Sequence, residues 1–257
     1  MATIPTGRFV WFEYVGAEAK KAQSFYGELF NWKTQEVPMP GMPGAGNYTM
    51  IVSNGQTIGG YMGQPKGAPD HAHWLSSLQV ADVAATVAKI KSLGGKIRKD
   101  TTKMGDFGTM AVVADPFDAT FALWQPGKPE GTGDYKEGAG NWCWDELTTP
   151  DPEKAVSFYK AIGGFDEQRM DMGGMGTYHI LTSEGKQRAG VTKPMKPGTP
   201  TMWLPYVSVT NADQTHDKAK RLGANSFVPP TDIPDVGRFA IFADPNGCVI
   251  GILQPKR

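Results

Sequence analysis

The 257-residue sequence carries one ordered set of landmarks twice. Phe25-Tyr26 returns as Phe158-Tyr159 after 133 positions, and Tyr48 returns as Tyr178 after 130. Trp74-Leu75 returns as Trp203-Leu204, and Ala114-Asp115-Pro116 as Ala243-Asp244-Pro245, both after 129. The offset shrinks only where short loops differ in length, which is the mark of a duplicated unit. Between the copies, Gly127 to Gly140 is Gly-rich and polar without periodicity, as linkers are. The expected organisation is a first domain over 1–126, a linker over 127–140 and a second domain over 141–257.

Within each copy a shorter pattern repeats again. Phe9 to Val15 reads as a strand, and Ala17 to Phe30 as a helix, with Ala22, Phe25, Tyr26, Leu29 and Phe30 at helical spacing. Strands are expected over 34–37, 48–52 and 57–62. The pattern restarts with a strand from Trp74 to Val80 and a helix from Asp82 to Leu93, capped by Asp82 and ended by Gly94-Gly95. Strands over 96–101, 109–113 and 120–125 complete it. In the second copy Asp151 suits a helix cap and Pro152 its first turn. The chain is thus βαβββ written four times, an α+β class with helices on one side of its sheets.

Basic and acidic residues balance at 26 each, which excludes the basic excess that nucleic acid or an anionic membrane surface would select. No apolar run approaches the roughly 18 residues of a membrane span, and residues 1–8 carry no signal-peptide pattern. Cys143 and Cys248 form no disulfide framework and read as free core thiols. A cytoplasmic protein is the expectation. There is no phosphate-binding Gly-rich fingerprint, no Gly-x-Ser-x-Gly elbow and no CxxC.

Three landmarks carry a resemblance. They are the Ala-x-x-Phe-Tyr helix (Ala22, Phe25, Tyr26; Ala155, Phe158, Tyr159), the Val80-Ala81-Asp82 helix start before Leu93-Gly94-Gly95, and Asp244-Pro245-Asn246-Gly247 with its drifted partner Asp115-Pro116-Phe117-Asp118. In this order they resemble the vicinal oxygen chelate superfamily of glyoxalases, extradiol dioxygenases and bleomycin-resistance proteins. The resemblance covers nearly the whole chain, twice. It implies two tandem glyoxalase-like domains, each of two βαβββ units whose curved sheets surround a cleft. In metal-dependent members His, Gln or Glu at four strand positions hold a divalent ion that binds substrate through adjacent oxygens.

Carried onto this chain, those positions fall on Trp11 and Trp144, near Gly59-Gly60 and Ala189-Gly190, on Leu75 and Leu204, and on Ala122 and Gly251. None offers a ligating side chain. The expectation is therefore no metal and no cofactor, with a displaced divalent metal as the alternative. Glu13, two residues after Trp11, and His73, on the strand face of Leu75, are the residues from which such a displaced site could be built. His71 and His73 otherwise read as exposed loop residues, His179 and His216 stand alone, and His216 suits an exposed helix position.

Strand alternation groups Trp11 with Glu13, and Trp142 and Trp144 with Glu146. A carboxylate among tryptophans is unusual in a plain core, and low polarity there raises its pKa. Glu13 and Glu146 are the candidate catalytic residues. Trp11, Glu13, Ser77, Trp142, Trp144, Glu146 and Tyr206 are the candidate ligand-binding set, Ser77 and Tyr206 holding equivalent points on the strand at which the pattern restarts in each half. Buried structural carboxylates, bonded to Tyr or backbone, are the plainer reading of the same pattern, and Trp74, Trp203 and Trp124 read as core. Two Met- and Gly-rich segments, Met39 to Gly44 and Met170 to Gly176, suit either adaptable covers or ordinary connections. Besides a scaffold or interaction protein without a ligand, two functions stay open. One is a binding protein for a small, partly aromatic or cationic molecule in a metal-free cleft. The other is a glyoxalase-like lyase, isomerase or oxygenase using a displaced metal or a Glu base. The expected partner is a small molecule rather than nucleic acid or membrane. Duplication lets one chain form a pseudo-dimer, with a homodimer as a further possibility.

Overall fold

The computed structural model of the chain describes residues 5–39, 46–65, 71–128, 137–196 and 198–256. The first half runs β1 (Arg8–Val15), α1 (Ala19–Phe30), β2 (Lys33–Pro38), β3 (Asn47–Ser53), β4 (Gln56–Met62), β5 (His73–Gln79), α2 (Val83–Ser92), β6 (Lys96–Lys103), β7 (Gly108–Ala114) and β8 (Thr120–Pro126). The second half repeats it as β9 (Trp142–Thr148), α3 (Pro152–Gly163), β10 (Asp166–Asp171), β11 (Thr177–Ser183), β12 (Lys186–Thr192), β13 (Met202–Ser208), α4 (Ala212–Arg221), β14 (Asn225–Ile233), β15 (Gly237–Ala243) and β16 (Val249–Pro255). These are the four βαβββ units of the sequence.

Local chemistry explains the helix ends. Asp82, Asp151 and Asn211 each accept a hydrogen bond from the backbone N–H three residues on, at 2.9, 3.2 and 2.9 Å, which satisfies one of the orphan donors of a first turn. Helix α1 has no such side-chain cap and starts two residues later than its apolar spacing suggests. Gly164 ends α3 in the left-handed conformation (φ 69°) that glycine adopts without a Cβ penalty.

The strands form two eight-stranded sheets, in the orders β2-β3-β4-β1-β5-β8-β7-β6 and β10-β11-β12-β9-β13-β16-β15-β14. This is the α+β architecture of two tandem domains. In every βαβββ unit the first strand returns through its helix to pair in parallel with the last, as parallel neighbours need a long crossover. The register places Glu13 opposite Gly60, Ser77 opposite Ala122, Glu146 opposite Gly190 and Tyr206 opposite Gly251. One structural position, occurring four times, therefore carries Glu, Ser, Glu and Tyr.

Packing divides the chain into two compact units that cut across the repeat. One contains Met1–Val10, Ser76–Asp134 and Trp144–Trp203, and the other Trp11–Leu75, Tyr135–Cys143 and Leu204–Arg257. In the first, α2 packs on α3 over a core that includes Leu78, Ile90, Phe121, Leu147, Phe158 and Tyr159. The Tyr159 hydroxyl accepts from Trp203 Nε1 (2.9 Å) and donates to Asp115 Oδ2 (3.2 Å). Asp115 Oδ1 in turn accepts from the N–H groups of Phe117 and Ala119. In the second unit α1 packs on α4. Tyr26 accepts from Trp74 Nε1 at 3.2 Å, and the hydroxyls of Tyr26 and Tyr14 lie against Asp244, whose Oδ1 accepts from the N–H groups of Asn246 and Cys248. The Phe-Tyr helix of one repeat thus meets the Asp-Pro turn of the other inside each unit.

Trp74 and Trp203 are core residues, as expected. His216 is not exposed: it is buried in α4 with Nε2 2.7 Å from Ser226 Oγ, because the neighbouring strand covers that helix face. Cys248 is buried, whereas Cys143 is exposed. No helix among the described residues is long and apolar enough to cross a membrane.

Candidate functional site

Strand β1 turns Phe12 and Tyr14 into the core of the second compact unit and leaves Trp11 and Glu13 on its other face. There a third residue joins them. Trp11 Nε1 donates to the Tyr48 hydroxyl (3.0 Å) and to Glu13 Oε2 (3.2 Å), and Tyr48 donates to the same Oε2 at 2.5 Å. Glu13 is only 7% exposed. The first compact unit holds the copy: Trp144 Nε1 donates to the Tyr178 hydroxyl (2.9 Å), which donates to Glu146 Oε2 (2.7 Å). Strand alternation groups Trp11 with Glu13 and Trp144 with Glu146 but misses Tyr48 and Tyr178. Their recurrence among the repeat landmarks is the signal that could have found them.

The tyrosines fit because glycines make room. A Cβ built on Gly60 would fall on the Tyr48 hydroxyl, and one on Gly190 on that of Tyr178. Both glycines stand opposite the glutamates in register. A side chain there and the tyrosine hydroxyl are mutually exclusive.

Burial pushes Glu13 up to about 7 from the ordinary 4.5, against the hydrogen bonds from Tyr48 and Trp11, which favour the anion. The Tyr178 hydroxyl is pushed well above its usual value, first by burial and then by the charge of Glu146. The first triad is thus a carboxyl group poised to change charge near neutrality, the condition for acid–base chemistry or for charge-dependent binding.

The other expected residues are placed as follows. Ser77 and Tyr206 are buried at the register positions equivalent to the glutamates. The Tyr206 ring lies over Gly251, where any side chain would collide with it. Trp142 donates from Nε1 to the Ile58 carbonyl (2.8 Å) and packs against Phe12, Trp32 and Trp74. It belongs to the core of the second unit and not to the Trp144–Glu146 triad. His73 turns Nδ1 toward the His71 carbonyl at 3.2 Å, and Glu13 is not among the groups that shift its pKa. Of the two Met- and Gly-rich segments, residues 40–44 of the first lie outside the described residues, and the second forms the end of β10 and a short 3-10 turn over Gly173–Met175. Two surface hollows, of about 280 and 450 Å³, include no triad residue in their walls.

The sequence profile described as Glyoxalase/Bleomycin resistance protein/Dioxygenase superfamily matches residues 8–123 and 144–252. The chain belongs to this superfamily. Among its relatives is a protein of Mycobacterium tuberculosis named "Putative glyoxylase CFP32", 34% identical over 95% of this chain and 94% of that one. Another is the anthracycline biosynthesis protein DauV of a Streptomyces species, 28% identical over 99% of this chain and 95% of that one. Among solved structures, the Mn(II)-bound glyoxalase from Novosphingobium aromaticivorans has the same fold, with a TM-score of 0.64 at 15% identity over 97% of this chain and 82% of that one.

The expectation of no metal and no cofactor requires correction. Glu153 of α3, Glu167 of β10 and His179 of β11 bring one ligand atom each to within 4.8 Å of one another. Two carboxylates and an imidazole are a donor set for a divalent transition metal, and a neighbour of this fold carries Mn(II). The four inherited positions do not lead to this cluster, and in the sequence His179 stands alone. In the fold His179 is buried with Nδ1 2.8 Å from Glu167 Oε1, on the face of β11 opposite Tyr178. Arg169 is the cation at this cluster, bonded to Glu153 at 3.1 and 2.8 Å and to Glu167 at 2.7 Å. Burial works to raise Glu167, but the hydrogen bonds from His179 and Arg169 hold it below its usual value. A metal at these donors would take the place of the Arg169 guanidinium.

Proposed function

We propose that this superfamily member binds a small, partly aromatic organic molecule at its Trp–Tyr–Glu triads. Half-exposed Trp11 and Trp144 supply ring surface, and Glu13 supplies the polar contact. The observation that carries this reading is Glu13 Oε1, a buried oxygen without a hydrogen-bond partner. Most buried polar atoms in folded proteins are hydrogen-bonded. Glu13 Oε1 is one of seven side-chain atoms among the described residues that are not, and its carboxyl group is the one bonded by the half-exposed Trp11 indole, so it invites a ligand atom. The name of the relative DauV, an anthracycline biosynthesis protein, is compatible with a polycyclic ligand. The test is a thermal-shift and calorimetric screen of planar aromatic compounds. Trp11→Ala and Trp144→Ala are expected to weaken each hit at least tenfold, and hits that survive both changes refute the assignment.

A second reading, an enzyme of lyase, isomerase or oxygenase type, is favoured by the near-neutral Glu13, which suits a general acid or base. If a divalent metal takes part, Glu153, Glu167 and His179 are the residues that would hold it, and it would supply Lewis acidity toward a ligand oxygen. Turnover of dicarbonyl or catechol substrates that Glu13→Gln abolishes would establish this reading in place of simple binding.

A further inference from the structure

Resting on the ligand-binding reading above, we infer that Glu13 meets its ligand as a neutral acid with the proton on Oε1, so the ligand presents an acceptor oxygen, a carbonyl or quinone, and not a cation. The hydrogen-bond inventory leads there. Trp11 Nε1–H can only donate, and it points to the Tyr48 oxygen and to Glu13 Oε2. The Tyr48 hydroxyl has one proton, and it goes to Oε2 at 2.5 Å. Oε2 therefore receives two donors and fills the role of the acid's carbonyl oxygen. Oε1 receives none and is buried.

An ionised carboxylate would leave half its charge on that unpartnered oxygen, away from water, which is the expensive arrangement. Protonating Oε1 removes the charge and turns the atom into a donor. Among the described residues no cation acts on the Glu13 carboxyl. Across the sheet β4 presents Gly60, β3 presents Tyr48, and Trp11 is the remaining group that acts on the carboxyl. An amine ligand would have to create the anion it binds. A ligand carbonyl or quinone oxygen accepts from Oε1–H with no change of charge, and its aromatic body can lie against Trp11.

The copy in the second domain is less suited to the role. Tyr178 again donates to Glu146 Oε2, but Glu146 is half-exposed, so water shares the stabilisation of its anion. The inference therefore concerns the first domain.

Two measurements on the purified full chain test it. The first follows the isotope-labelled glutamate carboxyl resonances with pH, Glu13→Gln identifying the Glu13 signal. The second titrates a dihydroxyanthraquinone and, separately, naphthylmethylamine. The expected result is a Glu13 resonance that stays protonated at pH 6 and titrates near 7, and quinone binding about tenfold weaker at pH 8 than at pH 6. E13Q, which fixes a neutral donor in place, should lose that pH dependence and bind the quinone more tightly than the wild type at pH 8. A Glu13 resonance already ionised at pH 6, or a preference for the amine that E13Q destroys, overturns the inference while leaving a ligand site in place. Binding of neither probe refutes the ligand-binding reading itself, and the resonance still decides the state of the acid.

Discussion

The hydroxyl of Tyr48 occupies the volume that any side chain at Gly60 would need. The same exclusion holds between Tyr178 and Gly190. In each domain the absence of one side chain on the last strand of the first βαβββ unit is therefore a condition for the hydrogen bond from tyrosine to glutamate.

Gly60→Ala should push the Tyr48 hydroxyl off Glu13 and strain a buried strand. A loss of about 1–3 kcal/mol is expected, as for other overpacked interiors. Denaturant unfolding checks the magnitude, and a changed Glu13 titration checks the cause. Gly55, whose Cβ would meet open space but whose φ is +75°, makes a useful comparison: its replacement by Ala should cost stability without moving the Glu13 titration.

Tyr48→Phe removes a donor that favours the Glu13 anion. The Glu13 pKa should rise further above 7, because a lost hydrogen bond to the charged form disfavours that form. A fall in pKa on this substitution would mean that Tyr48 is not the donor.

Asp145 sits where the first repeat has Phe12, and burial pushes its carboxyl up to about 8, against the influence of Ser76 and the Glu146 backbone. A group whose folded pKa is raised gives stability that is complete below its unfolded value near 4 and is lost as pH rises through its folded value. The chain should therefore weaken by several kcal/mol between about pH 4 and pH 8, because a single proton held by the folded state and released by the unfolded one costs roughly 1.4 kcal/mol for each pH increment of one. Asp145→Asn should flatten most of this slope, and Glu13→Gln a smaller part up to about pH 7. Chemical denaturation across the range measures both.

Asp115→Ala removes the acceptor for two backbone N–H groups and for Tyr159. Unsatisfied buried donors cost about 1–3 kcal/mol each, so a loss of at least about 2 kcal/mol is expected from unfolding measurements. Tyr159→Phe, which keeps the turn intact but leaves Trp203 Nε1–H without its acceptor, should cost less.

Arg169→Ala removes the cation that neutralises Glu153 and Glu167. After incubation with Mn²⁺ or Zn²⁺ and removal of the excess, this variant should retain more metal than the wild type, and His179→Ala less. Equal metal content in all three proteins would mean that Glu153, Glu167 and His179 do not form a metal site.

The sequence by itself determined the duplication, the four βαβββ units, most strand bounds to within a residue or two, and the caps at Asp82 and Asp151. These follow from interactions within a few residues of each other: helical spacing, strand alternation, and a side chain accepting from the N–H three positions on. It also placed Trp11 with Glu13, and Trp144 with Glu146, since residues two apart on a strand share a face. Only the tertiary structure decided what crosses the sheet or packs on it. Tyr48 reaches Glu13 from 35 residues away, and the fit depends on the register that sets Gly60 opposite. His179 meets Glu167 and Glu153 only because β10 and β11 pair and α3 covers them, so a histidine that looks solitary in the sequence sits in a donor cluster. The compact units join one half of each repeat, because a helix buries its apolar stripe against whichever helix the sheets bring to it, and no local pattern names that partner.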